Sequence, residues 1–212
     1  MSFVLYLISD RHVAGGPDAL VRACASVAAA LPPGSLGIQV REKDLSTRQL
    51  LELTSRILDS VAGTGTKVLV NDRIDCAIAA GADGVHLPSS GMPPGMARRF
   101  YSGIIGISTH SIAELVRLDP RDVSFATFGP VGDTPSKRAF GPPQGLARLR
   151  EAVTASRIPV FALGGITLEN ALEVKRQGVA GIAVIRAVLQ SPDPVISAMR
   201  LFEAFTSPAQ ET

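Results

Sequence analysis

The sequence predicts an α/β protein folded as a single (β/α)8 TIM barrel. Three observations predict it: short apolar runs alternate with longer amphipathic segments, the runs number eight, and polar clusters fall just after them. Alternation of this kind argues for parallel strands joined by helical crossovers. Eight such units fit into 212 residues only with compact helices and loops, and no low-complexity tract or long Ser/Gly linker divides the chain. One domain is expected over residues 1–206, with 207–212 as a disordered tail. An open doubly wound sheet is the competing topology, and it fits less simply because no long edge connection is present.

Strands are expected at 3–8, 36–40, 67–70, 84–87, 103–107, 123–128, 158–163 and 181–185, each apolar nearly throughout, as strands covered on both faces must be. Helices are expected between them at 17–30, 46–61, 73–80, 94–101, 111–118, 144–155 and 167–177. Ser46 precedes a run that puts Leu50, Leu53, Ile57 and Val61 on one face. Thr167 is placed to cap the helix carrying Ala171 and Val174, and Gly178 to end it. A last helix at 193–205 sets Val195, Met199 and Phe202 on one stripe and closes the outer ring.

Composition narrows the function classes. Hydrophobic residues are 46% against 19% charged, the formal charge is +2, and no Lys/Arg block or interleaved aromatic stripe provides a nucleic-acid surface. No basic leader and no run of about 18 apolar residues suggests export or a membrane span, so a cytoplasmic location is expected. Cys24 and Cys76 sit far apart in apolar helical stretches and are expected to be buried reduced thiols.

In such a barrel, residues just after the strands face one mouth, where sites are built. Five strand ends carry polar clusters: Gln39, Arg41 and Lys43; Asn71 and Asp72; Ser108 through Ser111; Gly129-Pro130 with Thr134, Ser136 and Lys137; and Gly164-Gly165. Each has a blander reading, since 41–43 suits a solvated turn, and 71–72 and 108–111 suit helix caps. Strand alternation puts Gln39 and Arg41 on one side, so if one points into the mouth both do. Gly164-Gly165 can present backbone N–H groups to an anion or can be a tight turn, and 132–137 combines two hydroxyls with a cation. His110 follows a strand in this polar setting and is the first acid/base candidate. His86 suits core or mouth equally, and His12 suits a solvated loop.

The segments Tyr6-Leu7-Ile8-Ser9-Asp10-Arg11, Gln39-Val40-Arg41-Glu42-Lys43, Val70-Asn71-Asp72-Arg73, Ala82 to Leu87, Gly106 to Ser111, Phe128 to Val131 with Thr134 to Lys137, and Gly164-Gly165-Ile166 resemble, in order and spacing, the thiamine phosphate synthase/TenI family. The resemblance runs from about residue 6 to 189 and implies a (β/α)8 barrel working in thiamine biosynthesis. Members divide between a synthase, which joins a pyrimidine diphosphate to a thiazole phosphate and releases pyrophosphate, and a tautomerase, which shifts a proton on a thiazole carboxylate phosphate. For the synthase, the resemblance assigns Gln39, Arg41, Lys43, Asn71, Ser108, Thr134, Ser136 and Lys137 to the pyrimidine and its diphosphate, Asp72 to Mg²⁺, and Gly165, with Gly164 beside it, to the thiazole phosphate.

Two positions depart from the synthase pattern. Gly91 stands where a second Mg²⁺-binding Asp is usual, and Arg186 where a phosphate-contacting Ser is usual, leaving Arg186 as a candidate phosphate ligand. Leu87-Pro88-Ser89 resembles the tautomerase branch, whose chemistry needs no cofactor and is within reach of His110. The expectation is therefore the tautomerase first, the Mg²⁺-dependent synthase as the alternative, and a non-catalytic thiazole-phosphate-binding protein as a third reading. Small phosphorylated substrates are the expected partners, with no nucleic acid and no membrane, and a homo-oligomer is left open.

Overall fold

The computed structural model describes residues 3–133 and 143–207. The strands are β1 (Leu5–Ile8), β2 (Leu36–Val40), β3 (Lys67–Asn71), β4 (Gly84–Leu87), β5 (Ile104–Thr109), β6 (Phe125–Phe128), β7 (Val160–Leu163) and β8 (Gly181–Val184). The helices are α1 (Pro17–Ala30), α2 (Thr47–Ser60), α3 (Ile74–Ala80), α4 (Pro94–Arg98), α5 (Ile112–Val116), α6 (Gly145–Ala155), α7 (Ala171–Lys175), α8 (Arg186–Leu189) and α9 (Pro194–Thr206). All neighbouring strands pair in parallel and β1 pairs with β8, so the sheet closes and has no edge. The (β/α)8 barrel is therefore what the chain forms, and the open-sheet alternative is excluded.

Helix ends follow local chemistry. Ser46 closes a reciprocal capping box with Gln49 at the start of α2, and Asp193 accepts from the Ile196 amide ahead of α9. Thr167 does not cap α7. Its own N–H donates to Asn170 Oδ1 at 2.9 Å, which makes 167–170 a turn and delays the helix to Ala171. Helices α4 and α5 are shorter than their apolar patterns imply. The short α8 leaves no signal of its own, because only Ile185 separates it from β8 and no turn residue stands between them. β1 starts at Leu5, since the amides of both Val4 and Leu5 turn to Ser35 O, while β5 runs on through Thr109, paired with Phe128.

Two apolar layers result. The larger lies between strands and helices, and the smaller fills the barrel with Phe3, Tyr6, Ile8, Leu69, Phe125, Phe161 and Ala183. Ring centroids there are 5.1 to 5.6 Å apart for Phe125–Phe161, Tyr6–Phe125 and Phe3–Phe125, edge-on or tilted as aromatic quadrupoles prefer. Glycines make the room. A Cβ on Gly106 would lie 2.6 Å from Phe125 Cζ and 2.7 Å from His86 Nδ1, and one on Gly181 would lie 2.2 Å from Phe161 Cε1. Gly106→Ala is accordingly expected to lower stability by about 1–3 kcal/mol through overpacking. A urea midpoint equal to that of the parent would contradict this account of the interior.

Candidate active site at the carboxyl ends of the strands

Directly above the aromatic layer lies a belt of hydrogen bonds that crosses four strands. Gln39, 2% exposed, donates through Nε2 to Tyr6 Oη at 3.2 Å. Tyr6 Oη lies 3.4 Å from His86 Nδ1, and His86 Nε2 lies 3.1 Å from Ser108 Oγ. With Gln39 as donor, the directions follow in sequence. The phenol donates to Nδ1, the imidazole Nε2–H donates to Ser108, and the serine proton is left to point elsewhere. Burial raises the Tyr6 pKa far above the ordinary phenol value. Burial, and secondly the Arg41 charge, push His86 down to about 3, so the imidazole is neutral at pH 7. Arg41 itself is half-buried just past the end of β2.

At the end of β3, Asn71 pairs in register with His86, and the Asp72 amide donates to His86 O at 2.9 Å. Asp72 is exposed and takes a left-handed backbone with φ 65°, a conformation that a short polar side chain tolerates. Its neighbour Arg73 is turned to Asp75, with Nη2–Oδ2 2.5 Å. Lys43 and Arg186 are exposed, the latter as the first residue of α8. Thr134, Ser136 and Lys137 lie outside the described residues.

The loops after β6 and β7 run together beyond their strands. Val131 and Gly132 donate to Leu163 O and Gly164 O at 2.9 and 2.8 Å, and a Cβ on Gly129 would meet Leu163 O at 2.0 Å. Gly164 and Gly165 have φ of 92° and 66°, and Asn170 Nδ2 donates to Gly165 O at 2.7 Å. The pair thus forms a turn held from below by Asn170. Being a turn and offering backbone to an anion are compatible.

His110 is exposed, with Nδ1 2.8 Å from Gly129 O. A carbonyl only accepts, so Nδ1 carries the proton and, in the neutral ring, Nε2 is the basic nitrogen. His86 resolves to the interior, and His12 is a solvated loop residue 3.4 Å from Asp44. Gly91 closes a turn onto Pro88 O, and a Cβ there would lie 2.8 Å from Pro88 Cγ, so the position is shaped for glycine. Among the described residues no group of three or more His, Cys, Asp or Glu is arranged to hold a metal, and no helix is long and apolar enough to cross a membrane. Sequence reasoning left out Tyr6, Ser9 and Arg11 as site-building residues. The period-2 pattern that puts Gln39 inside also puts Tyr6 beside Ile8 on the inner face, and that was the available signal.

The thiamine monophosphate synthase family model matches residues 5–188. A thiamine-phosphate synthase from Albidiferax ferrireducens is 40% identical over 200 residues, covering 93% of this chain and 89% of its own. A Geobacter sulfurreducens protein provisionally named as a thiamine-phosphate synthase is 45% identical over 196 residues, covering 92% and 90%. The structure of thiamine phosphate pyrophosphorylase from Pyrococcus furiosus superposes with a TM-score of 0.84 at 32% identity, covering 96% of both chains.

The depressed His86 value makes a prediction about pH. Because the folded pKa, about 3, lies below the ordinary 6.5, the unfolded chain takes up the proton first as pH falls. The stabilisation from a neutral ring is complete above pH 6.5 and is lost toward pH 3, by up to about 1.4 kcal/mol per pH unit. Urea unfolding from pH 7 to 4 should therefore fall less steeply for His86→Gln than for the parent, and equal slopes would remove His86 as the cause.

Proposed function

The chain belongs to the thiamine monophosphate synthase family, and from that premise we propose that it is a thiamine-phosphate synthase. It would join hydroxymethylpyrimidine diphosphate to thiazole phosphate and release pyrophosphate. The observation that carries this reading is a mouth with cations to spare: among the described residues no carboxylate pairs with Arg41 or Lys43. A bound diphosphate needs such cations, and a proton shift on a monophosphate needs fewer of them. The names of the relatives support the same choice over the tautomerase.

In this reading Gln39 and the directed Ser108 hydroxyl hold the pyrimidine ring. Arg41, Lys43 and Asn71, joined by Thr134, Ser136 and Lys137, hold the diphosphate. The carbon–oxygen bond to diphosphate breaks as the thiazole nitrogen takes the pyrimidine methylene, and these donors meet the charge that builds on the leaving oxygen. Gly164 and Gly165 receive the thiazole phosphate, with Arg186 as a second cation. Asp72 would hold Mg²⁺, which supplies further neutralisation of the diphosphate. The lack of a carboxylate at Gly91 is compatible with the synthase. Mg²⁺ commonly takes one or two carboxylates and completes its shell with substrate phosphate and water, and exposed Asp72 fits that mode.

One observation favours the tautomerase as a second reading: His110, with Nδ1 committed to Gly129 O, has Nε2 as a base. Purified protein incubated with each substrate set, with and without Mg²⁺, separates the two. Thiamine phosphate formed only with Mg²⁺ is the expected product, and aromatisation of the thiazole carboxylate phosphate without coupling would reverse the assignment. His110→Ala gives an independent check. Coupling should fall by less than about tenfold if His110 only braces the loops, whereas an essential acid/base would lose about 10² to 10⁴.

A further inference from the structure

Between Arg41 and Lys43 stands Glu42, a carboxylate the reaction does not use, with its side chain 3% exposed. A buried carboxylate needs partners, and Glu42 has three donors. Ser9 Oγ donates to Oε1 at 2.6 Å, the Arg11 amide to Oε1 at 3.1 Å, and Arg11 Nη1 to Oε2 at 3.0 Å. Ser9 Oγ in turn accepts the Arg41 amide at 2.8 Å. That bond matters because the β1–β2 register ends at Ile8 and Gln39, so Arg41 lies past the ladder and a side chain takes the place of a strand partner.

Arg11 has a second task. Its guanidinium also donates to Asp44 at 2.6 and 2.5 Å, so it takes up both carboxylates that flank Lys43. These bonds hold the Asp44 carboxyl well below the usual carboxylate range. Both carboxylates adjacent in sequence to Lys43 are thereby engaged by one guanidinium.

We infer that Glu42, Ser9 and Arg11 are positioning residues for anion capture: they hold the backbone of 41–44 beyond the end of the sheet and occupy the local carboxylates, which leaves Arg41 and Lys43 for a diphosphate. The inference rests on the diphosphate reading of this mouth. It makes a prediction opposite in sign to simple electrostatics. Removing a negative charge beside two cations should strengthen anion binding through space, whereas removing a positioning carboxylate should weaken it.

The test is calorimetric titration of the full-length protein with pyrophosphate in Mg²⁺, and separately with thiazole phosphate. For Glu42→Gln, whose amide would set a donor against Arg11, pyrophosphate affinity should drop by about tenfold while thiazole phosphate affinity stays within about twofold. Ser9→Ala keeps every charge, disturbs packing little, and should lose about threefold or more for pyrophosphate alone. Equal or tighter pyrophosphate binding by both variants, or parallel loss of both ligands, overturns the inference. A parent that binds no pyrophosphate removes the diphosphate reading instead, and this inference with it.

Discussion

Filling a narrow barrel is the constraint from which the rest of this structure follows. The interior of an eight-stranded barrel must be packed by side chains to the density of a solid. Here four large rings, Phe3, Tyr6, Phe125 and Phe161, do most of that, and Gly37, Gly106 and Gly181 keep the opposing strand faces bare. Tyr6 alone among the four carries a polar end. Buried completely, that hydroxyl needs partners, and it has them in Gln39 and His86 at 3.2 and 3.4 Å. The height of the aromatic packing therefore sets the height of the polar belt, and so the floor of the mouth on which a substrate would rest.

Charge is arranged on the same plan. A formal charge of +2 is too small to make a whole surface cationic. Near the strand ends, acids are neutralised locally by arginines. Arg11 takes Glu42 and Asp44, and Arg73 takes Asp75. Arg41 and Lys43 have no such partner among the described residues, and Arg41 sits close enough to His86 to help keep the ring neutral. A neutral His86 can donate from only one nitrogen, which gives the Ser108 hydroxyl its direction. Electrostatics and hydrogen-bond polarity are thus coupled through one buried ring.

The barrel was legible in the sequence because its signal is repeated: eight apolar runs, each bounded by turn residues, leave few topologies. Where reading failed, a local bond outweighed a pattern. The Thr167 amide goes to Asn170, and α8 has no polar break before it. The gathering of Gln39, Asn71 and Ser108 at one mouth was foreseeable from alternation and strand ends. The buried state of Glu42 was not. An Arg-Glu-Lys run at the start of a loop has the composition of a solvated turn, and only the approach of Ser9 and Arg11 from the loop after β1 converts its middle residue into a structural anion. Long-range pairing of that kind, 31 or more residues apart, leaves no periodic trace.

The two chemistries weighed for this scaffold differ in only half of the mouth. The Gly164-Gly165 turn, braced by Asn170 and tied to the loop after β6, suits a thiazole phosphate in either case and cannot discriminate between them. His110 favours the tautomerase only so far as its Nε2 acts as a base, and the same ring, with Nδ1 fixed on Gly129 O, also braces the loops. Discrimination falls to the ends of β2 and β3. The synthase reading gives a use to Arg41 and Lys43, which no carboxylate pairs among the described residues, and to an exposed Asp72 whose left-handed backbone its short side chain tolerates; the tautomerase reading gives them none. Two cations and one carboxylate presented together suit a ligand carrying more charge than a monophosphate, as the diphosphate of the proposed reading does.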